Sequence, residues 1–249
     1  AMGPATTSSI NVYIGNWQGL TEPLNGAIDD VRIYNVALNQ SDVEADIDFP
    51  EPAAKWSFAN GAVDFSGNGM NGSVSSATLV SDHNGNDASA YQISTASSSY
   101  VDFGDYNAVE GIPEVTVCAW LKKSTPSTGG VVSKMQSGGF GPWYLIVESS
   151  GNIQFIVYRS DLAVAAYASA TPAVPYSNGE WHHLCGVYNG SLGGAGAKLY
   201  YDGQLLATAA MSGNLYANTT TVRAGNLSGG GWPLNGTVDD IEVYKIGRA

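Results

Sequence analysis

The sequence predicts an all-β chain, and three observations carry that expectation. Short apolar runs recur with Gly-, Ser-, Asn- and Asp-rich breaks between them, several alternate apolar with polar residues, and a single window holds helical periodicity. Charged residues make up only 13% of the chain while glycine occurs 31 times, a balance that suits short strands joined by tight turns. Many short strands at regular spacing close into a sandwich or a barrel.

Taken in order, the strand-like runs are NVYIGN (11–16), AIDDVRIYN (27–35), AAKWSF (53–58), YVDFG (100–104), VTVCAWLK (115–122) and GVVSKM (130–135). They continue with WYLIVES (143–149), NIQFIVYR (152–159), WHHLCGVYNG (181–190), KLYYDGQLL (198–206), TVRAGN (221–226) and TVDDIEVYK (237–245). In NIQFIVYR the alternation puts Ile153, Phe155 and Val157 on one face. Asp202-Gly203 tolerates positive φ, so KLYY and QLLAT are expected to be antiparallel neighbours. The one helical window is 37–47, where Ser41 followed by Glu44 reads as a capping box. Two prolines in DIDFPEPA (46–53) end it and mark a boundary.

An internal repeat sets the organisation. Gly15, Asn16, Pro23, Leu24, Asn25, Gly26, Asp29, Asp30 and Tyr34 return at a constant offset as Gly225, Asn226, Pro233, Leu234, Asn235, Gly236, Asp239, Asp240 and Tyr244. The expected organisation is therefore a leading piece, residues 1–50, and one complete module, residues 51–249. The leading piece would hold a cloning scar at Ala1-Met2-Gly3 and the last two strands and short helix of a preceding repeat.

The net charge of −12 argues against nucleic acid, because ten Lys and Arg cannot supply the cationic surface that phosphates need. Such acidity suits a divalent cation or a neutral glycan, and it is also a plain route to solubility. No apolar run reaches the roughly 18 residues of a membrane span. Cys118 and Cys185 each lie inside a strand-like run at a spacing that fits no zinc pattern. Two buried thiols and one cross-strand disulfide both satisfy that placement, and a disulfide would imply oxidising, extracellular surroundings.

An ordered series of short motifs carries a family resemblance. It runs Trp56-x-Phe58, Asp64-Phe-Ser-Gly-Asn-Gly (64–69) with Gly72, Tyr100-Val-Asp-Phe, Val117-Cys-Ala-Trp-Leu-Lys, Trp181-His-His, Tyr201-Asp-Gly, Ala224-Gly-Asn and Gly236-Thr-Val-Asp-Asp-Ile-Glu-Val-Tyr244. Together these motifs resemble the laminin-G-like, concanavalin A-like jelly-roll modules of secreted bacterial proteins. The resemblance covers residues 54–249, and residues 10–49 in its C-terminal part only. It implies a two-sheet antiparallel β-sandwich. It departs after the last strand: Tyr34, Asn35, Ala37 and Leu38 keep the family's turn, while the second copy stops at Tyr244-Lys-Ile-Gly-Arg-Ala. A first copy without its own partner strands would seek a sheet edge on this module or on a neighbouring chain.

The resemblance also implies a structural calcium near the final Asp-Asp strand, with Asp64, Asn68 and Asp239 as expected ligands and Asp240 in reserve. The 64–69 loop offers the oxygen donors calcium takes. Strict alternation in VDDIEVY places Asp239 on the face of Ile241 and Val243, toward an apolar interior where a carboxylate needs a cation or several donors. The competing expectation is an Asx-turn with the carboxylate bonded to backbone amides.

Trp56, Trp120 and Trp181 lie within strand-like runs and are expected in the core. Trp143 follows GGFGP and Trp232 follows GGG, so both are expected on exposed loops as platforms for sugar rings, joined by Phe140 and Tyr216. Glu22 occupies the place of Trp232 in the first copy, so the scaffold does not itself require an aromatic there. His182 and His183 would point to opposite faces and cannot chelate one metal together, and His83 has no ligand-type neighbour in sequence.

Catalytic signals are weak. Asp239-Asp-Ile-Glu242 is the nearest approach to the carboxylate ladder of jelly-roll glycosidases, and its ends are expected on opposite faces. Neither Gly-x-Ser-x-Gly nor His-Glu-x-x-His occurs. The expected function is a non-catalytic, extracellular carbohydrate-binding module of a secreted or surface protein. A structural or adhesive repeat spacer is the first rival, and a polysaccharide-active enzyme the second.

Overall fold

Period-2 alternation leaves each strand with one apolar face, and two sheets that bury those faces against each other satisfy them all. The computed structural model describes residues 51–136, 139–161 and 165–246, with Ile14, Asn25, Val31 and Ile33 as isolated positions. The chain divides into units Ala1–Phe49 and Pro50–Ala249. The two strands and the 37–47 helix expected of the leading piece lie outside the described residues.

In the second unit the strands are β1 (Ala54–Trp56), β2 (Ser73–Ser75), β3 (Thr78–Val80), β4 (Ala90–Ile93), β5 (Tyr100–Asp102), β6 (Glu114–Lys122), β7 (Gly129–Lys134) and β8 (Trp143–Val147). They continue with β9 (Ile153–Tyr158), β10 (Ala165–Ala170), β11 (Trp181–Asn189), β12 (Ala197–Tyr201), β13 (Gln204–Ala209), β14 (Arg223–Ala224) and β15 (Gly236–Tyr244). The first sheet runs β13-β12-β11-β6-β15-β4-β3, with β1 paired along β15. The second runs β10-β9-β8-β7-β14-β5-β2. The pairing is antiparallel throughout these ladders, so the fold is the expected two-sheet sandwich of jelly-roll type. Asp202 and Gly203, at φ 48° and 75°, form the tight turn between β12 and β13, as their sequence requires.

Val115, Val117, Ala119 and Leu121 of β6 and Leu184 and Tyr188 of β11 meet Trp143, Leu145, Val147, Ile153, Phe155 and Val157 of the opposite sheet in one buried core. A side chain at Gly186 would place its Cβ 2.1 Å from the Phe155 ring, so only glycine lets β11 approach β9 there. Trp56 is fully buried, stacks on Phe103 at 3.8 Å, and donates Nε1–H to the Met70 carbonyl.

Three sequence expectations are corrected. Trp120 and Trp181 are half-buried on the outer face of the first sheet rather than in the core. The parity of β6 decides this: Ala119 and Leu121 point inward, so Trp120 and Lys122 between and after them point out. Trp143 is not on an exposed loop. It opens β8 with no exposed surface and donates Nε1–H to the Val109 carbonyl at 2.9 Å.

The third correction concerns β15. The register against β6 shifts between Asp239 and Glu242, with Asp240 at φ 39°. This bulge inserts one residue into the alternation, so Val238, Ile241 and Val243 all reach the core while Asp239 faces outward, opposite Trp120. It also brings Glu242, opposite Cys118, onto the outer face with Asp239, where strict alternation would have separated them.

Candidate functional site

Register fixes which side chains neighbour one another on the outer face of the first sheet. One row crosses five strands as Trp181, Lys122, Thr237, Gln92 and Thr78. The next holds His183, Trp120 and Asp239, and a third holds Tyr200, Cys185, Cys118, Glu242 and Lys55. Cys118 and Cys185 are directly opposed and joined as a disulfide.

Two depressions open on this face. One, of about 590 Å³, has Gln92, Thr237, Lys122 and Trp181 along it, with Val80 and Ser81 at one end and Lys123–Thr125 and Asn235–Gly236 at its rim. The other, of about 510 Å³, is bounded by Trp120, Trp181, His182, His183, Asp202 and Gly203. Trp181 borders both.

The aromatic groups are held in place. His83, from the turn after β3, stacks on Trp120 with centroids 4.4 Å apart and planes 10° from parallel, and meets Trp181 edge-on at 6.3 Å. Its Nδ1 donates to Asp239 Oδ2 at 2.7 Å, its backbone N–H donates to the same oxygen, and its Nε2 accepts from Asn84 Nδ2. Sequence adjacency hid this partner, since the two residues lie far apart along the chain. Asp239 is 1% exposed yet fully engaged, its other oxygen accepting from the Asp240 amide. Burial, reinforced by the neighbouring Asp239 charge, pushes the Asp240 carboxyl above its ordinary range. Burial pulls His183 below the ordinary imidazole value, against the opposing pull of Glu242 and Asp202. His183 tilts against Trp120 at 5.2 Å, while His182 points inward and bonds Asp202 through Nδ1.

The expected calcium ligands do not gather at one point. Asp64 Oδ1 accepts from the amides of Lys55 and Ser66, and Oδ2 from the Ser66 hydroxyl and the Met70 amide. Burial opposes the charge on Asp64, but these donors outweigh it and hold the carboxyl below its ordinary range. Asn68 donates its side-chain amide to the Ala53 carbonyl. Asp239 and Asp240 cluster instead with His83.

The expected sugar platforms are dispersed. Trp232 is 42% exposed with φ 54°, in the loop before β15. Phe140, half exposed, packs edge-on against Tyr158 at 5.3 Å, and the Tyr216 amide donates to the Tyr158 carbonyl, so these two converge on the second sheet. Trp143 lies in the core. The paired depressions around Trp181 were missed, although the parity of VTVCAWLK was the signal that could have shown Trp120 and Lys122 facing out.

Both outer-face carboxylates of β15 are engaged: Asp239 accepts from His83, and Glu242 pairs with Lys55 at 2.8 Å and accepts from the Tyr244 hydroxyl. What the face offers is a rigid floor of indole, amide, hydroxyl and ammonium groups, the chemistry of recognition.

An antiparallel sandwich bearing an aromatic, polar sheet face defines a class of protein in which lectins and glucanases share one scaffold. Residues 1–44 and 95–248 match the model of the concanavalin A-like lectin/glucanases superfamily, in its laminin-G-like branch, and the chain belongs to that family. Among solved structures, the botulinum neurotoxin serotype D binding domain superposes with a TM-score of 0.59 at 16% identity, covering 80% of this chain and 48% of that one. The binding domain of Paraclostridial Mosquitocidal Protein 1 gives a TM-score of 0.59 at 13% identity, covering 79% and 49%. The botulinum neurotoxin serotype C1 binding domain gives 0.55 at 10% identity, with the same coverage. The chain thus spans about half the length of these neighbours, and at such identities the likeness is one of fold. No curated protein matches the sequence.

Proposed function

We propose that the chain is a non-catalytic carbohydrate-binding module that works outside the cell. The observation that carries this reading is Trp181, a half-buried indole bordering two open depressions on a sheet face. A flat ring fixed by strand register binds the apolar face of a sugar with little ordering cost, while the flanking amide, hydroxyl and imidazole groups bond its hydroxyls. Membership in a superfamily of lectins and glucanases supports a glycan as the ligand class. The Cys118–Cys185 disulfide supports an oxidising, extracellular setting. Phe140, Tyr216 and Trp232 lie outside this reading.

Calcium is left out of this reading. The Asp64 oxygens are occupied by the protein's own donors, and the Asp239–Asp240 cluster includes an imidazole nitrogen where calcium takes oxygen.

Affinity electrophoresis through gels containing soluble polysaccharides tests the proposal. Retardation that Trp181→Ala abolishes, with an unchanged melting temperature, is the expected result. Unretarded migration in every polysaccharide would return the chain to the class of structural spacers.

A further inference from the structure

The larger depression departs from the protein's overall charge. Acidic residues outnumber basic ones 22 to 10 across the chain, yet the residues around this depression include two lysines and no carboxylate. Lys122 is exposed, and among the described residues it forms no ion pair; its ammonium lies 6.0 Å from the Trp181 ring centroid. Lys123 is buried at the rim, where Nζ donates to Ser127 Oγ and to the carbonyls of Leu234 and Asn235. Burial lowers its pKa to about 8, which leaves the ammonium protonated at neutral pH, and among the described residues it forms no ion pair. At the far end Asp87 accepts from Ser81, and Glu180 and Asp82 adjoin the lining residues Trp181 and Ser81 along the chain.

An exposed ammonium over an indole, without an ion-pair partner among the described residues and backed by a second buried cation, is a recognition element for an anionic ring: the indole takes the ring's apolar face and the ammonium its charged oxygens. The row Trp181, Lys122, Thr237, Gln92, Thr78 runs across five strands, and at ~4.8 Å per strand it extends ~19 Å, longer than one sugar. Past Lys122 that row offers only uncharged hydroxyl and amide groups.

We infer that the larger depression binds a linear anionic polysaccharide, laid across the strands with the carboxylate or sulfate of one sugar on Lys122 and that sugar's ring against Trp181. This inference rests on the glycan-binding reading above and specifies its ligand. It also gives a use to local positive potential in a protein whose net charge of −12 works against polyanions everywhere else.

The test compares the intact chain with Lys122→Gln, Trp181→Ala and Lys198→Gln in gels containing alginate, a sulfated galactan or a neutral β-glucan. Lys198, on β12 away from the depression, controls for bulk charge. The expected result is retardation by at least one anionic polymer, weakened about tenfold by Lys122→Gln and by added salt, unaffected by Lys198→Gln, and lost in Trp181→Ala. Alginate against the galactan separates carboxylate from sulfate. Retardation by the neutral glucan alone, or anionic binding insensitive to Lys122→Gln, overturns the inference and leaves glycan binding standing. No Trp181-dependent retardation in any gel overturns both.

Discussion

At the scale of single residues, buried and half-buried ionisable groups set how the fold responds to acid. Asp64 has a native pKa held below its ordinary value, so the unfolded chain takes up the proton first as pH falls. Its contribution is complete above the unfolded carboxyl pKa and is lost as pH drops below it, toward the native value. His183, also held low, acts in a higher window: below the ordinary imidazole pKa the unfolded state protonates first, so stability declines there. Asp240 opposes both, because its raised native pKa means that the fold gains the proton first between that value and the ordinary one. Urea denaturation at a series of pH values should therefore show stability falling below the ordinary imidazole pKa, and His183→Gln should flatten that limb. Asp64→Ala should cost about 1–3 kcal/mol at neutral pH by stranding the Lys55, Ser66 and Met70 amides. Much of this was open to sequence reading, since Asp64-Phe-Ser-Gly-Asn-Gly announced a carboxylate in a tight loop. Which donors would fill it depended on β1 and Met70 closing round it, which no local pattern states.

At the scale of elements, strand parity separates what was legible from what was not. Long alternating runs such as NIQFIVYR and VTVCAWLK became β9 and β6, whereas β2, β3 and β4 at residues 73–93 and the alanine-rich β10 went unrecognised. Three- and four-residue strands carry too few alternations to establish a period, and Ala165–Ala170 buries little side chain that could mark a face. The β15 bulge is the sharper lesson. VDDIEVY reads as unbroken alternation, and a single left-handed residue, Asp240, reassigns the face of everything before it. That position should accept Asp240→Gly with unchanged or slightly higher stability, while Asp240→Val should lose about 1–2 kcal/mol because a β-branched residue resists positive φ. Chemical denaturation of the two variants measures the difference. Equal stabilities would mean that the bulge relaxes and Asp239 leaves its place beside His83.

At the scale of the whole molecule, the two central strands of the first sheet come from distant parts of the chain and are tied together chemically. Cys118 and Cys185 are separated by 67 residues, a stretch that contributes β7 to β10 of the second sheet, so the bond closes a loop that passes through both layers. Closing a loop of that size removes unfolded-state entropy worth about 4 kcal/mol on the chain-entropy account. Reduction, or Cys118→Ala with Cys185→Ala, should lower the melting temperature by several degrees while β6 and β11 remain paired. A metal chelator should leave the melting temperature unchanged, because a cation bound only by the folded state would raise it and the Asp64 oxygens are already filled. The two measurements divide the stability between covalent and ionic causes. A chelator effect with no reduction effect would place the stabilising link on a cation, and Asp239→Asn in the same assay would then show whether the His83 cluster holds it.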